Sequence, residues 1–135
     1  QNIDKDFDII ISNHNIEHCE DPQSTFSAMV DKAKVGGILF FATPSLKSVD
    51  FPSRGGGLNF HDDPTHVSPV DLVKLYESES HRLKCTFYEK SAKPFIWWFL
   101  GWVQEHISKR KNLIRLGTWD YYGFEQIMWI EKVDL

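Results

Sequence analysis

Apolar residues fall along this chain in two spacings. From Phe7 to Ser12 they run continuously and are rich in Ile, which predicts a strand buried on both faces. Asp21 and Pro22 then mark a helix start, the first as N-cap and the second at a position where a missing N–H costs nothing. Phe26, Met29, Val30 and Ala33 follow at i, i+3, i+4, i+7 and form one core-facing stripe. Gly36-Gly37 is expected to end that helix. Ile38 to Thr43 is again continuously apolar, a second strand covered on both faces. Strand, helix, strand at these lengths is a βαβ unit with parallel strands and a right-handed crossover.

Residues 44–67 carry Gly, Pro and Asp without periodicity and form a long loop, the kind of segment that is usually functional. The next helix is expected to start with Ser68 as cap, Pro69 at its first position and Asp71 at capping-box spacing. Its buried stripe is Leu72, Leu75 and Tyr76. Leu83, Cys85 and Phe87 alternate with Lys84, Thr86 and Tyr88, which predicts a half-exposed strand. Phe95 to His106 reads as an aromatic helix leading into Lys109-Arg110-Lys111, and Phe124 to Ile130 as a last strand. The pattern fits a single domain over 1–135, with a loop insertion at 44–67 and an aromatic helical insertion at about 91–120.

Composition narrows the classes. At 135 residues, 41% apolar and 25% charged, the chain can bury a core and is not disordered. Its 15 basic and 19 acidic residues give a net charge of −4, so the overall basic footprint of a nucleic-acid binder is absent. Cys19 and Cys85 are expected to be reduced thiols. No signal-peptide pattern opens the sequence, and the apolar run Pro94–Val103 is about half a bilayer span. A cytoplasmic location is expected, with membrane association open.

The chemistry concentrates after the first strand. In open parallel sheets ligands bind beyond the carboxyl ends of the strands, and Ser12, Asn13, His14, Asn15, Glu17 and His18 leave such an end. A plain structural loop, with Glu and His paired to each other and to backbone, would carry the same residues.

Together, Phe7-Asp-Ile-Ile-Ile-Ser, Ile16-Glu-His-Cys-Glu-Asp-Pro, Gly36-Gly and Ile38-Leu-Phe-Phe-Ala-Thr-Pro-Ser resemble the class I S-adenosylmethionine-dependent methyltransferases. The resemblance is nearest to the small-molecule branch with ubiquinone- and sugar-pathway enzymes. It covers most of residues 5–90. It implies an α/β, Rossmann-like fold of which this chain holds the C-terminal portion, strands 4-5-7-6 of the family order, with the last strand antiparallel. It implies S-adenosylmethionine as cofactor, bordered by Ser12, Asn13 and His14, and a small-molecule oxygen acceptor such as a sugar or lipid-linked intermediate. His18 and His66 become catalytic candidates, and Glu17, His61 and Asp62 candidates for acceptor contact.

The glycine-rich turn that follows the family's first strand is missing, and so is the acidic residue that ends its second. Gly55-Gly56-Gly57 follows no strand and opens no helix, so it is expected to be a flexible loop. An Ile-rich strand edge is expected to be left open, awaiting an N-terminal half or a second copy. On its own the chain is expected to be inactive.

The second cluster, His61-Asp62-Asp63-Pro64-Thr65-His66, joins the first loop at the same sheet end. Small-RNA 2′-O-methyltransferases resemble this arrangement and hold a metal there. By that match His14, Glu17, His18 and His66 would be ligands, with His14 softening the site from Mg²⁺ toward Mn²⁺, Fe²⁺ or Zn²⁺. The metal-free reading, with His66 lining the substrate pocket, is preferred. Trp97, Trp98, Phe99 and Trp102 go nearly round their helix, which could be core, a partner-docking element, a lid over an apolar substrate or an interfacial helix with a basic end. A non-catalytic interaction module, pairing through the open edge or this helix, is the rival from another class.

Overall fold

The computed structural model describes residues 6–53 and 58–134. The Gly55-Gly56-Gly57 expectation therefore lies outside the described residues. Four strands form one sheet in the order β1 (Phe7–Asn13), β2 (Ala33–Pro44), β4 (Glu125–Lys132), β3 (Leu83–Glu89). β1 and β2 run parallel, and β4 lies antiparallel between β2 and β3. In chain order this is the expected 4-5-7-6 arrangement with an antiparallel last strand.

Helix α1 (Pro22–Lys32) starts as expected, with the Asp21 carboxylate accepting from the Ser24 N–H. It ends four residues before Gly36, because Ala33 caps it and already pairs with Phe7 in the sheet. Gly36, at φ +79°, instead accommodates an irregularity inside β2, where the register with β1 shifts between Phe7 and Ile9. Helix α2 (Leu72–Ser78) starts later than expected. Asp71 itself is the N-cap, accepting from Val73 and Lys74 N–H, so Ser68 and Pro69 lie outside. A bulge in β3 between Cys85 and Phe87 reverses the expected alternation: Tyr88 packs on the core and Phe87 faces out.

The core lies on one sheet face. Phe26 and Val30 of α1 and Leu72 and Leu75 of α2 pack on Leu39, Phe41, Met128 and Ile130, with the Phe26 and Phe41 rings 5.0 Å apart. On the opposite face Ile9, Ile11, Phe87 and Trp129 are exposed, whereas Ala42 toward the carboxyl end of β2 is buried. The row Ile11, Phe40, Trp129, Phe87 on this face crosses all four strands in register, and Ile11 is 66% exposed. β1 is thus buried on one face only, contrary to its apolar sequence. The reason is that both α1 and α2 lie on the other side.

The aromatic segment forms α3 (Phe95–Lys111), longer than expected, and α4 (Thr118–Tyr122), which the sequence pattern does not show. α3 does not enter the core. It buries Gly101, Glu105 and Ser108, while Phe95, Ile96, Phe99, Trp102 and Val103 are exposed. Glu105 accepts from the Tyr122 hydroxyl and pairs with Lys109 at 3.3 Å. The contact with α4 depends on two glycines: a Cβ on Gly101 would lie 1.9 Å from the Gly117 carbonyl oxygen.

Gly101→Val should therefore lower the thermal midpoint and change the near-UV signal of the tryptophans, at a cost at or above the usual overpacking range of about 1–3 kcal/mol. Ile96→Ser, on the exposed face, should leave both nearly unchanged. Equal effects would show that the glycine contact does not set α3 in place.

Candidate functional site

The site is built where β1, β2 and β4 meet. The His14 N–H donates to the Ala42 carbonyl at 2.8 Å, carrying the parallel ladder one residue past β1. His14 then turns at φ +46°, a conformation that costs a residue with a Cβ about 1–3 kcal/mol and clusters at functional sites. Its ring sits between two carboxylates: Nδ1 is 3.3 Å from Glu17 Oε1, and Nε2 is 3.0 Å from Glu125 Oε1.

Glu17 lies in a single 3-10 turn, Ile16–His18, and is fully buried. Its Oε2 accepts from the Thr43 hydroxyl at 3.0 Å. Burial by itself would raise the Glu17 pKa, but hydrogen bonding from His14, from its own backbone amide and from Thr43 outweighs that and holds it below the usual value. Hydrogen bonds to Glu125 and then Glu17 raise His14 to about 9, so it is an imidazolium at neutral pH. Two carboxylates and one imidazolium leave the cluster with net negative charge.

The Glu17 backbone carbonyl accepts from both Val67 N–H (3.0 Å) and Ser68 N–H (3.3 Å). This docks the long loop on the 3-10 turn and brings His66 to His18, with ring centroids 4.9 Å apart. His66 Nδ1 is 2.6 Å from the Phe60 carbonyl oxygen, and His18 Nδ1 is 3.0 Å from that of Thr65. A carbonyl oxygen can only accept, and the Thr65 hydroxyl, also 3.0 Å from His18 Nδ1, gives its own proton to Asp63, so this geometry assigns the proton to Nδ1 in both rings. In the neutral ring each Nε2 is then left as a lone pair, able to take a proton or ligate a metal. The His66 ring stacks on Phe60 at 4.5 Å, and its Nε2 is 3.8 Å from an Asp63 carboxylate oxygen.

One ligand atom each from Glu17, His18 and His66 lies within 4.8 Å of the others, close enough to share a divalent cation. His14 is not in that group. Ser12 is buried at the end of β1, its hydroxyl without a hydrogen-bond partner among the described residues, and Asn13 is exposed beside it. His61 is exposed, edge-on to Phe60. The Asp62 carboxylate accepts from Asn59 N–H and the Ser53 hydroxyl and so shapes the loop. Two contributors had no sequence signal, Glu125, brought in by strand pairing, and Phe60, whose carbonyl and ring both hold His66; Thr43 lay in a recognised motif but with no role assigned to it.

The His14 shift has a consequence for stability. A pKa raised from 6.5 to about 9 stabilises the fold fully below about pH 6.5, and that contribution disappears as pH rises through 9. The lowered pKa of Glu17 adds stability that is lost as pH falls through its folded value. The thermal midpoint should fall between pH 7 and 10 in the native chain, and His14→Gln should have a lower midpoint with most of that slope removed. An unchanged slope in the variant would mean that His14 does not hold the strand ends.

Residues 2–41 match the family described as "Methyltransferase domain". A crystal structure of a SAM-dependent methyltransferase from Archaeoglobus fulgidus superposes with TM-score 0.52 at 21% identity, covering 96% of this chain and 61% of that one. This chain therefore spans about three-fifths of the length of that structure. The family match spans β1, α1 and most of β2, and the strand order and superposition together show that the chain carries part of the Rossmann-like α/β fold of that methyltransferase structure.

Proposed function

We propose that this chain forms the acceptor-facing part of an S-adenosylmethionine-dependent methyltransferase acting on an oxygen of a small molecule, such as a sugar or a lipid-linked intermediate. The observation that carries the reading is the His18–His66 pair, with both Nδ1 protons given to carbonyls beyond the carboxyl end of β1. When bound, S-adenosylmethionine supplies a methyl group made electrophilic by its sulfonium. Ser12 and Asn13 would hold its methionine end, and the unpartnered buried Ser12 hydroxyl fits that role. The net negative His14–Glu17–Glu125 cluster suits a cationic cofactor.

His66 Nε2 takes the acceptor hydroxyl proton, and the Asp63 carboxylate stabilises the imidazolium that results. His18 packs beside it and confines the acceptor. Glu17 positions both by holding the loop to the turn. His61 and Asp62 border the acceptor side. The exposed row Ile11, Phe40, Trp129, Phe87 and the open edge of β1 would receive the rest of the fold, or else a second copy. A strand-to-helix glycine turn is absent from the 135 residues, so the chain alone would bind the cofactor poorly.

A second reading places a divalent cation on Glu17, His18 and His66, as in metal-dependent RNA 2′-O-methyl transfer, and rests on the convergence of those three donors. It requires metal at one equivalent in the purified protein, lost in His66→Ala. Absence of metal would remove it.

Calorimetry of the 135-residue chain with S-adenosylmethionine should show no binding tighter than millimolar, and micromolar affinity would overturn the weak-binding reading. In protein completed with the remainder of the fold, His66→Gln should lower kcat roughly 10²–10⁴-fold with the KM for S-adenosylmethionine unchanged. A variant that keeps kcat would remove His66 as the base.

A further inference from the structure

Helix α3 has its large and small residues in the opposite places from an ordinary surface helix. Gly101, Glu105 and Ser108 face the protein, whereas Phe95 (76% exposed), Ile96 (69%), Trp102 (56%) and Val103 (53%) face out. A soluble surface helix places its apolar stripe inward and its polar residues outward. Phe99 and Trp102 pack their rings 5.8 Å apart on this face. Such a contiguous patch marks an interaction surface.

Charge identifies what the patch meets. Residues 90–117 hold six basic side chains (Lys90, Lys93, Lys109, Arg110, Lys111, Arg115) and one acidic, Glu105. Of the chain's 15 basic and 19 acidic residues, nine and 18 remain elsewhere. The apolar face is therefore flanked by cations at both ends on an otherwise strongly acidic body. Glu105 is itself buried against Tyr122 and Lys109 and offers nothing to the exposed face. A depression of about 330 Å³ bounded by Ile107, Arg110 and Lys111 lies at the basic end.

We propose that α3 is an interfacial helix that docks this domain onto an anionic lipid surface. The rings of Phe95, Phe99 and Trp102 enter the headgroup–acyl boundary, where aromatic side chains are favoured. Lys90 and Lys93 at one end and Arg110 and Lys111 at the other, all exposed, meet the lipid phosphates. At 17 residues the helix is about 25 Å long, and no described helix is long and apolar enough to cross a membrane; it lies in the surface. Pairing with the same face of a second copy would set these cations against each other across a two-fold axis, which disfavours that occupant. The acidic remainder of the chain is repelled by the same surface, which sets the orientation. The proposal does not depend on methyl transfer.

Vesicles of phosphatidylcholine with 30 mol% phosphatidylglycerol should co-sediment with the 135-residue chain in 50 mM salt, with a blue shift of tryptophan emission. Pure phosphatidylcholine should bind far less, and 500 mM salt should release the protein. Arg110→Gln with Lys111→Gln should weaken binding roughly 30-fold at about 1 kcal/mol per basic group. Phe95→Ser with Trp102→Ser should abolish the emission shift. These four positions are exposed, so circular dichroism should show each variant folded. No binding to anionic vesicles, equal binding to neutral ones, or a Phe95/Trp102-dependent dimer without vesicle binding would each overturn the proposal.

Discussion

A buried carboxylate organises this site. Glu17 has no accessible surface, and an ionised carboxylate there is tolerable only because its neighbours compensate for lost water. The Thr43 hydroxyl comes from the end of β2. The His14 imidazolium comes from the residue after β1 and is itself held by Glu125 at the start of β4. Three strand ends are thus tied through Glu17 and His14. The Glu17 backbone carbonyl holds the long loop through Val67 and Ser68. Neutralising or removing the Glu17 side chain would loosen the strand ends that hold the turn, and through the turn's backbone carbonyl the loop that carries His66.

The sheet has two unlike faces. One is packed by α1 and α2 around Phe26, Phe41, Leu72 and Ile130. The other presents Ile9, Ile11 and Trp129 without cover among the described residues. An α/β sheet with an exposed apolar face and an open parallel edge is a surface that association stabilises. The superposition, which covers almost all of this chain but 61% of the longer structure, is in keeping with that. The exposed face of α3 differs in kind. Basic residues cluster at both its ends, whereas the sheet face carries Lys84 paired across from Glu131. Charge separates a surface built for lipid from one built for protein.

The strand order was legible because Phe7–Ser12, the Asp21-Pro22 helix start and Ile38–Thr43 together define a βαβ unit, and a family resemblance supplied the rest. The ends of elements were less legible. Gly36 looks like a helix terminator, yet it serves an irregularity in β2, since pairing of Ala33 with Phe7 takes the chain into the sheet earlier. Asp71, expected at the capping-box position, itself caps α2 in place of Ser68, because the helix starts only where Leu72 is buried. The β3 bulge reversed Phe87 and Tyr88, a change that period-two reasoning cannot foresee. In the site, the closeness of His18 and His66 was foreseeable as two loops at one sheet end. The pairing of His14 with Glu125 was not, for it joins residues 111 apart. The inward face of α3 is set by Gly101 against Gly117, a contact of backbones that hydrophobic patterning cannot register.

The most direct test is long-range ¹H–¹⁵N correlation NMR of the imidazole nitrogens at pH 8. In the neutral rings of His18 and His66 the geometry places the proton on Nδ1 and the lone pair on Nε2, while His14 remains protonated on both nitrogens. His18 or His66 with the proton on Nε2, or a neutral His14, would contradict both the geometry of the pair and the carboxylate network that positions it.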